Sequence, residues 1–192
     1  MNHIANPFVA VLDACVLYPY RMRDVLLEFA TQGIFRARFT EEIMDEWSRN
    51  VIKDMPDTVE SVKAQLGIIG KVFEECFVTG YKPLIPGLEL PDPDDRHVLA
   101  AGIKSSTQVI VTKNHRDFPE DVLEEFDIIT VDPDEFLADA FELFPMEATG
   151  ALRTLRTRLK RPPMDVSEFL LDLTRAGMPR LAAKAREHIE FL

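Results

Sequence analysis

The sequence predicts an α/β fold: three α/β/α layers around a central parallel sheet, followed by a helical C-terminal extension. Three observations carry this. Short apolar runs at residues 8–12, 108–112 and 128–131 lack the polar alternation of a half-exposed strand and fit strands buried on both faces. The stretches between them place apolar residues at helical spacing, so strand and helix alternate, as a parallel sheet requires. After Pro145 the strands cease and only helical patterns remain. A chain of 192 residues with 46% hydrophobic content supports one sizeable core. The organisation read from this is a main domain over 1–144 and an extension over 145–192.

The first strand starts after Asn6-Pro7 and runs Phe8-Val9-Ala10-Val11-Leu12 straight into Asp13. Val25, Leu26, Phe29 and Ala30 then mark a helix over 23–32, with Gly33 in the favoured position after it. Residues 34–39 alternate apolar and basic and predict a short strand. Thr40 caps the next helix, whose first turn holds Glu41 and Glu42; Ile43, Glu46, Trp47 and Asn50 lie along one side. A longer helix over 57–76 has Val59, Val62, Leu66, Ile69, Val72, Phe73 and Cys76 as its apolar stripe. Residues 77–91, rich in Pro and Gly, read as a strand-containing connection or a flap. Asp92 reads as the N-cap of a helix with Pro93 at its first position and Asp95 where a capping box takes an acid. Its small apolar residues lead into the strand at 108–112, which ends in Lys113-Asn114-His115-Arg116-Asp117. A short helix over 120–126, the strand at 128–131 and a helix from Asp132-Pro133 to Phe144 complete the alternation. A basic helix over 147–160, stopped by Pro162-Pro163, and helices over 166–176 and 179–191 form the extension.

Composition narrows the function. No apolar run reaches the ~18 residues of a membrane span, and Met1-Asn2-His3-Ile4 does not read as a signal peptide. Cys15 and Cys76 have neither zinc spacing nor a partner framework and read as buried free thiols, which suits a reducing cytoplasm. The net charge is −11. Residues 151–192 hold nine Lys/Arg against five Asp/Glu, leaving 13 bases against 28 acids in the first 150. Such a body does not attract a polyanion by its mean field. Nucleic-acid binding would then rest on metal ions and local basic patches; otherwise the acids simply confer solubility.

The chemistry lies in where the acids fall. Asp13 follows the first strand and Asp117 follows the strand at 108–112, so a parallel sheet brings both to its carboxyl edge, where ligands bind in open α/β folds. A helix that feeds a parallel strand begins at that same edge, which adds Asp95. Carboxylates crowded together repel, and their pKa values rise unless a cation neutralises them. Hard oxygen ligands at this density suit Mg²⁺ or Mn²⁺, and such a site can direct water at a phosphodiester.

VAVLD ending at Asp13, TEEIMDEW with Glu46, DPDDRHVLAAG with Asp95 and VIVTKNHRDF with Asp117 stand in an order that resembles the PIN-domain nucleases, with the bacterial group that includes VapC-type toxins the closest. The resemblance covers roughly residues 8–144. It implies a PIN-like fold and a metal-dependent endoribonuclease, the toxin of a toxin–antitoxin pair, that leaves a 5′ phosphate. It also implies an RNA substrate, a cognate antitoxin as partner, and Asp13, Glu46, Asp95 and Asp117 as the acidic quartet. Asp13, Asp95 and Asp117 would bind the metal, and Thr112 and Asn114 would support the fourth acid and the metal's waters. Many members carry Asn where this chain has Cys15, which removes one possible hydrogen bond to a neighbouring acid.

Alternatives stay open at several positions. Glu42 sits one turn before Glu46, and spacing does not choose between them; Asp94 is a one-residue alternative to Asp95, and Asp92 reads as a cap. His97 and His115 are solitary and read as bland. Trp47, Tyr18 and Tyr20 could stack on a base, although a lone tryptophan on a helix is usually core. Arg153, Arg156, Arg158, Lys160 and Arg161 form a basic run that reads as a solvated face, an RNA contact or a partner surface. The extension could also serve a homo-oligomer. Two rival readings are an α/β interaction module without catalysis and a phosphohydrolase of the haloacid type. The latter needs a second Asp two residues after Asp13, where Cys15 stands.

Overall fold

Val9–Leu12 forms strand β1, and its side chains from Ala10 onward are wholly buried. Burying Val11 and Leu12 contributes roughly 1.5–3 kcal/mol each, and a central position in the sheet follows. The computed structural model describes residues 8–160 and 162–192, so the readings made at Met1–Ile4, Asn6, Pro7 and Arg161 lie outside the described residues. The sheet is parallel and has four strands in the order β2-β1-β3-β4, with β2 at Arg36–Arg38, β3 at Val109–Val111 and β4 at Ile129–Val131. Helices flank it. The described chain divides into two compact units, 8–18 with 37–130, and 19–36 with 131–192.

In the first unit, β1 and β3 pair in the register Leu12↔Val111. That register sets Asp13 opposite Thr112, one residue beyond each strand end. The chain does not run loose after Asp13: Ala14–Leu17 forms a single helical turn, α1, which apolar spacing had not indicated. Thr40 caps α3 (Glu41–Asp54) as expected, its hydroxyl accepting from Ile43 N at 3.0 Å. Ile43, Met44, Trp47 and Val51 of α3 are buried.

Helix α4 covers only Val59–Val72, between 3-10 turns at Pro56–Thr58 and Glu74–Cys76. The long apolar stripe expected there is corrected: only Val62 and Ile69 are buried within α4, and Val72 is 61% exposed. A helix held along one narrow line shows its remaining apolar residues to solvent. Residues 77–91 are neither a named strand nor a loose flap. Phe39 makes one parallel bridge to Phe77, a 3-10 helix spans Lys82–Gly87, and Val78, Tyr81, Leu88 and Leu90 are buried.

Asp92 is a cap, accepting from Asp94 N at 2.9 Å, but it opens the 3-10 turn Pro93–Asp95; helix α5 proper is Arg96–Lys104. The capping-box role for Asp95 does not form, because Asp95 is itself the last residue of that turn. Helix α5 packs on β1 and β3. Gly102 allows this approach: a Cβ there would meet Thr107 Cγ2 at 2.9 Å and Ile128 Cδ1 at 3.2 Å. Helix α6 (Glu120–Glu124) precedes β4.

The second unit is helical: α2 (Tyr20–Thr31), α7 (Pro133–Leu143), α8 (Pro145–Arg158), α9 (Val166–Arg175) and α10 (Pro179–Arg186). Helix α2 starts at Tyr20 rather than 23, and Gly33 after it has φ +73°, the left-handed conformation that ends helices. Helix α10 is shorter than read and gives way to a 3-10 turn at Ile189–Phe191. Polar ties join the helices. Arg21 Nε meets Asp172 Oδ2 at 2.5 Å, Arg158 meets the buried Glu28 at 2.6 Å, and Asp134 accepts from Arg180 N and Leu181 N. In the basic run Arg153, Arg158 and Lys160 are exposed, as a solvated face requires, while Arg156 is half-buried and donates to Met164 O and Leu192 O. Among the described residues no helix is long and apolar enough to cross a membrane.

Candidate active site

Asp13 is 3% exposed, and a buried carboxylate needs partners. The register supplies them. The Thr112 hydroxyl donates to Asp13 Oδ2 at 2.6 Å, and the Cys15 thiol donates to the same oxygen at 3.1 Å. Thr112 Oγ1 in turn accepts from Asn114 N at 2.9 Å. Cys15 thus does not leave the hydrogen bond missing, as its departure from the common Asn suggested; its thiol makes one. Neither cysteine is fully buried. Burial, then the Asp13 charge, still pushes the Cys15 thiol up to about 12, so it stays protonated and able to donate.

The 3-10 turn before α5 and the 3-10 turn His115–Asp117 after β3 bring a second set of acids together. One carboxylate oxygen from each of Asp92, Asp95 and Asp117 lies within 4.8 Å of the others. Asn114 joins the two turns by donating from Nδ2 to Asp95 Oδ2 at 3.1 Å. The Asp95 carboxyl is raised from 3.8 to about 7, first by burial and then by the charges of Asp13, Asp92, Asp117 and Glu46. The other three residues of the quartet are therefore within electrostatic reach of Asp95. Asp92, read as a cap in preference to a ligand, is both cap and cluster member. Asp13 belongs to the surroundings of Asp95 but not to the trio.

Helix α3 supplies one wall. A polar cleft of about 460 Å³ is lined by Glu42, Glu46, Arg49, Asn50, Asp92, Asp94, Asp95, His97 and Asn114. Glu42 and Glu46 both reach it but differ in what they touch: Glu42 accepts from the Tyr81 hydroxyl at 2.9 Å, whereas Glu46 Oε2 lies 3.6 Å from His97 Nε2. His97 is buried at 7% exposure, and its Nδ1 has no partner, so it is no bland surface histidine. Its place beside Glu46 has no sequence signal, because the two come from different helices. His115 instead meets Thr130 Oγ1 at 3.0 Å. Trp47 is 1% exposed and belongs to the core, so it is not free to stack on a base; Tyr18 is half-buried and its hydroxyl donates to Asp54.

A sequence model of the PIN domain matches residues 9–116, more than half of the chain and every acid of the cluster except Asp117, which lies one residue beyond the match. The chain belongs to the PIN-domain family. A model of the VapC50 C-terminal domain matches residues 133–187, which lie in the helical unit of this PIN protein. A curated relative, "Putative ribonuclease VapC50" of Mycobacterium tuberculosis (strain ATCC 25618 / H37Rv), is 38% identical over 111 residues, 58% of this chain. That alignment spans 64% of the relative, less than two thirds of its length. No solved structure matches the chain.

The donor set of this PIN domain fits a hard divalent cation. Its clustered ligand atoms are carboxylate oxygens, the one nearby thiol is held protonated, and the acid at the centre is strained by the charges around it.

Proposed function

We propose that this PIN domain is a Mg²⁺- or Mn²⁺-dependent endoribonuclease that hydrolyses RNA phosphodiesters as the toxin of a toxin–antitoxin pair. It would act in the cytoplasm and be restrained by a cognate antitoxin protein. One observation carries the reading: carboxylate oxygens of Asp92, Asp95 and Asp117 lie within 4.8 Å of one another, and burial with the charges of Asp13, Asp92, Asp117 and Glu46 raises the Asp95 carboxyl to about 7. A fold gains nothing in stability from such repulsion, so a cationic ligand is the physical reason to keep it. The name of the 38% identical relative supports ribonuclease chemistry.

In this reading Asp13, Asp95 and Asp117 hold the metal, and Asp92 is placed to join them. A bound divalent ion would supply positive charge against the phosphate oxygens and lower the pKa of water. The chain's own contributions are positional. Thr112 and Cys15 hold one oxygen of Asp13, and Asn114 holds one oxygen of Asp95. Glu46, beside His97 on the cleft lining, completes the metal's acidic shell or orients a second ion. The haloacid-type alternative loses support, since Cys15 is bonded to Asp13 where a second acid would be needed.

The test is cleavage of an RNA pool with and without Mn²⁺, with Asp13→Asn and Asp117→Asn as controls. Cleavage that needs the metal and vanishes in both variants is expected. Equal metal-dependent cleavage by both variants and the wild type would overturn the assignment.

A further inference from the structure

The proposed site has an electrostatic difficulty. Glu42, Glu46, Asp92, Asp94 and Asp95 all line the cleft, and RNA is a polyanion. A metal neutralises the charge at its own position but does not guide the flanking strand. Arg49 is the one Lys or Arg among the lining residues. It lies on α3 one turn beyond Glu46 and is exposed. Its Nε donates to the Asp45 carbonyl at 3.3 Å, which anchors the guanidinium in its own helix. Its terminal nitrogens have no ion pair or hydrogen bond among the described residues, although acids line the same cleft. A guanidinium tethered at Nε and free at both ends is set to take a phosphate in two parallel hydrogen bonds.

We propose that Arg49 clamps a backbone phosphate flanking the scissile one, so that single-stranded RNA enters the acidic cleft along α3. This rests on the nuclease reading for the identity of the substrate, but the contact itself is a binding property. It predicts that Arg49 governs affinity and not the chemical step.

The experiment measures binding of a fluorescent single-stranded RNA by anisotropy at several salt concentrations. Ca²⁺ is used as the divalent ion, and the RNA is checked intact afterwards. Arg49→Gln should weaken binding about five- to tenfold and reduce the salt slope by about 0.7, the value for one phosphate contact on a single strand. Arg49→Lys should keep the slope while losing part of the affinity, because the charge stays and the fork is lost. Lys71→Gln removes the same charge from α4 and should leave both unchanged. In Mn²⁺ turnover assays Arg49→Gln should raise KM and leave kcat within about twofold of wild type. Unchanged affinity and slope in Arg49→Gln would overturn the clamp, and intact cleavage would then leave the nuclease reading standing. Weakened binding by Arg49→Gln, with a wild-type protein that binds RNA but cuts nothing, would sustain the clamp and remove the nuclease reading. A lowered Tm with no change in slope would make Arg49 a structural residue and also overturn it.

Discussion

Replacing Asp95 by Asn should stabilise the metal-free protein, and the size of the gain should depend on pH. The folded carboxyl sits at about 7 against an ordinary 3.8, pushed there by burial and by the charges of Asp13, Asp92, Asp117 and Glu46. Each pKa unit is worth 1.36 kcal/mol, so the full penalty is about 4 kcal/mol. Solvent screening of a partly exposed group leaves on the order of 1–2 kcal/mol. The sign follows from proton linkage. Between about 4 and 7 the folded state binds more protons at this site than the unfolded one, so stability falls as pH rises through that window. Above it the penalty is complete; below it, both states are protonated and the penalty is absent. Asn carries no charge, and its amide oxygen still accepts the bond from Asn114 Nδ2. In EDTA at pH 8 the variant should melt about 3–6 °C higher than wild type, and at pH 5 the gain should shrink to roughly a third. Calorimetric or circular-dichroism melts at the two pH values measure this. Excess Mn²⁺ should reverse the order by stabilising only the wild type. A variant that is less stable at pH 8, or equally shifted at both pH values, would refute the account of Asp95 as a crowded acid.

Other outcomes follow from individual contacts. Saturating Mn²⁺ at ~100 times its Kd should stabilise the wild type by about 2.7 kcal/mol; denaturant titration with Asp117→Asn as control checks this. Thr112→Val removes the 2.6 Å bond to the buried Asp13 and should cost about 1–3 kcal/mol in urea unfolding. Cys15, with its thiol raised to about 12, should alkylate far more slowly at pH 8 in the native protein than in urea, as mass spectrometry of iodoacetamide adducts would report. Gly102→Ala places a methyl 2.9 Å from Thr107 Cγ2 and should lose about 1–3 kcal/mol of stability by thermal melt, without altering Mn²⁺ affinity.

The strands were legible because burial on both faces demands unbroken apolar runs, and VAVL and VIV satisfy it. The edge argument for Asp13, Asp95 and Asp117 needed only the parallel sense of the sheet, a property of alternating strands and helices. Helix stripes were less reliable. In α4 the apolar spacing was present, but the burial it suggested was not, because periodicity records what a helix can bury and not what lies beside it. The basic run of α8 is largely exposed as its pattern suggested, but spacing did not show that Arg158 finds the buried Glu28 on a distant helix.

Sequence by itself determined the kind of chemistry: which residues are acids, and which of them stand at strand ends and helix starts. That much is local, written in hydrophobic runs, caps and turns. Only the tertiary structure decided the constellation. It made Asp92 a neighbour of Asp95 and Asp117, set His97 against Glu46, tied Glu42 to Tyr81 and left the terminal nitrogens of Arg49, on the cleft lining, without a partner among the described residues. These are distances between side chains on separate turns and helices. They depend on register and packing angles to within an ångström or two, and no spacing along one chain carries that information.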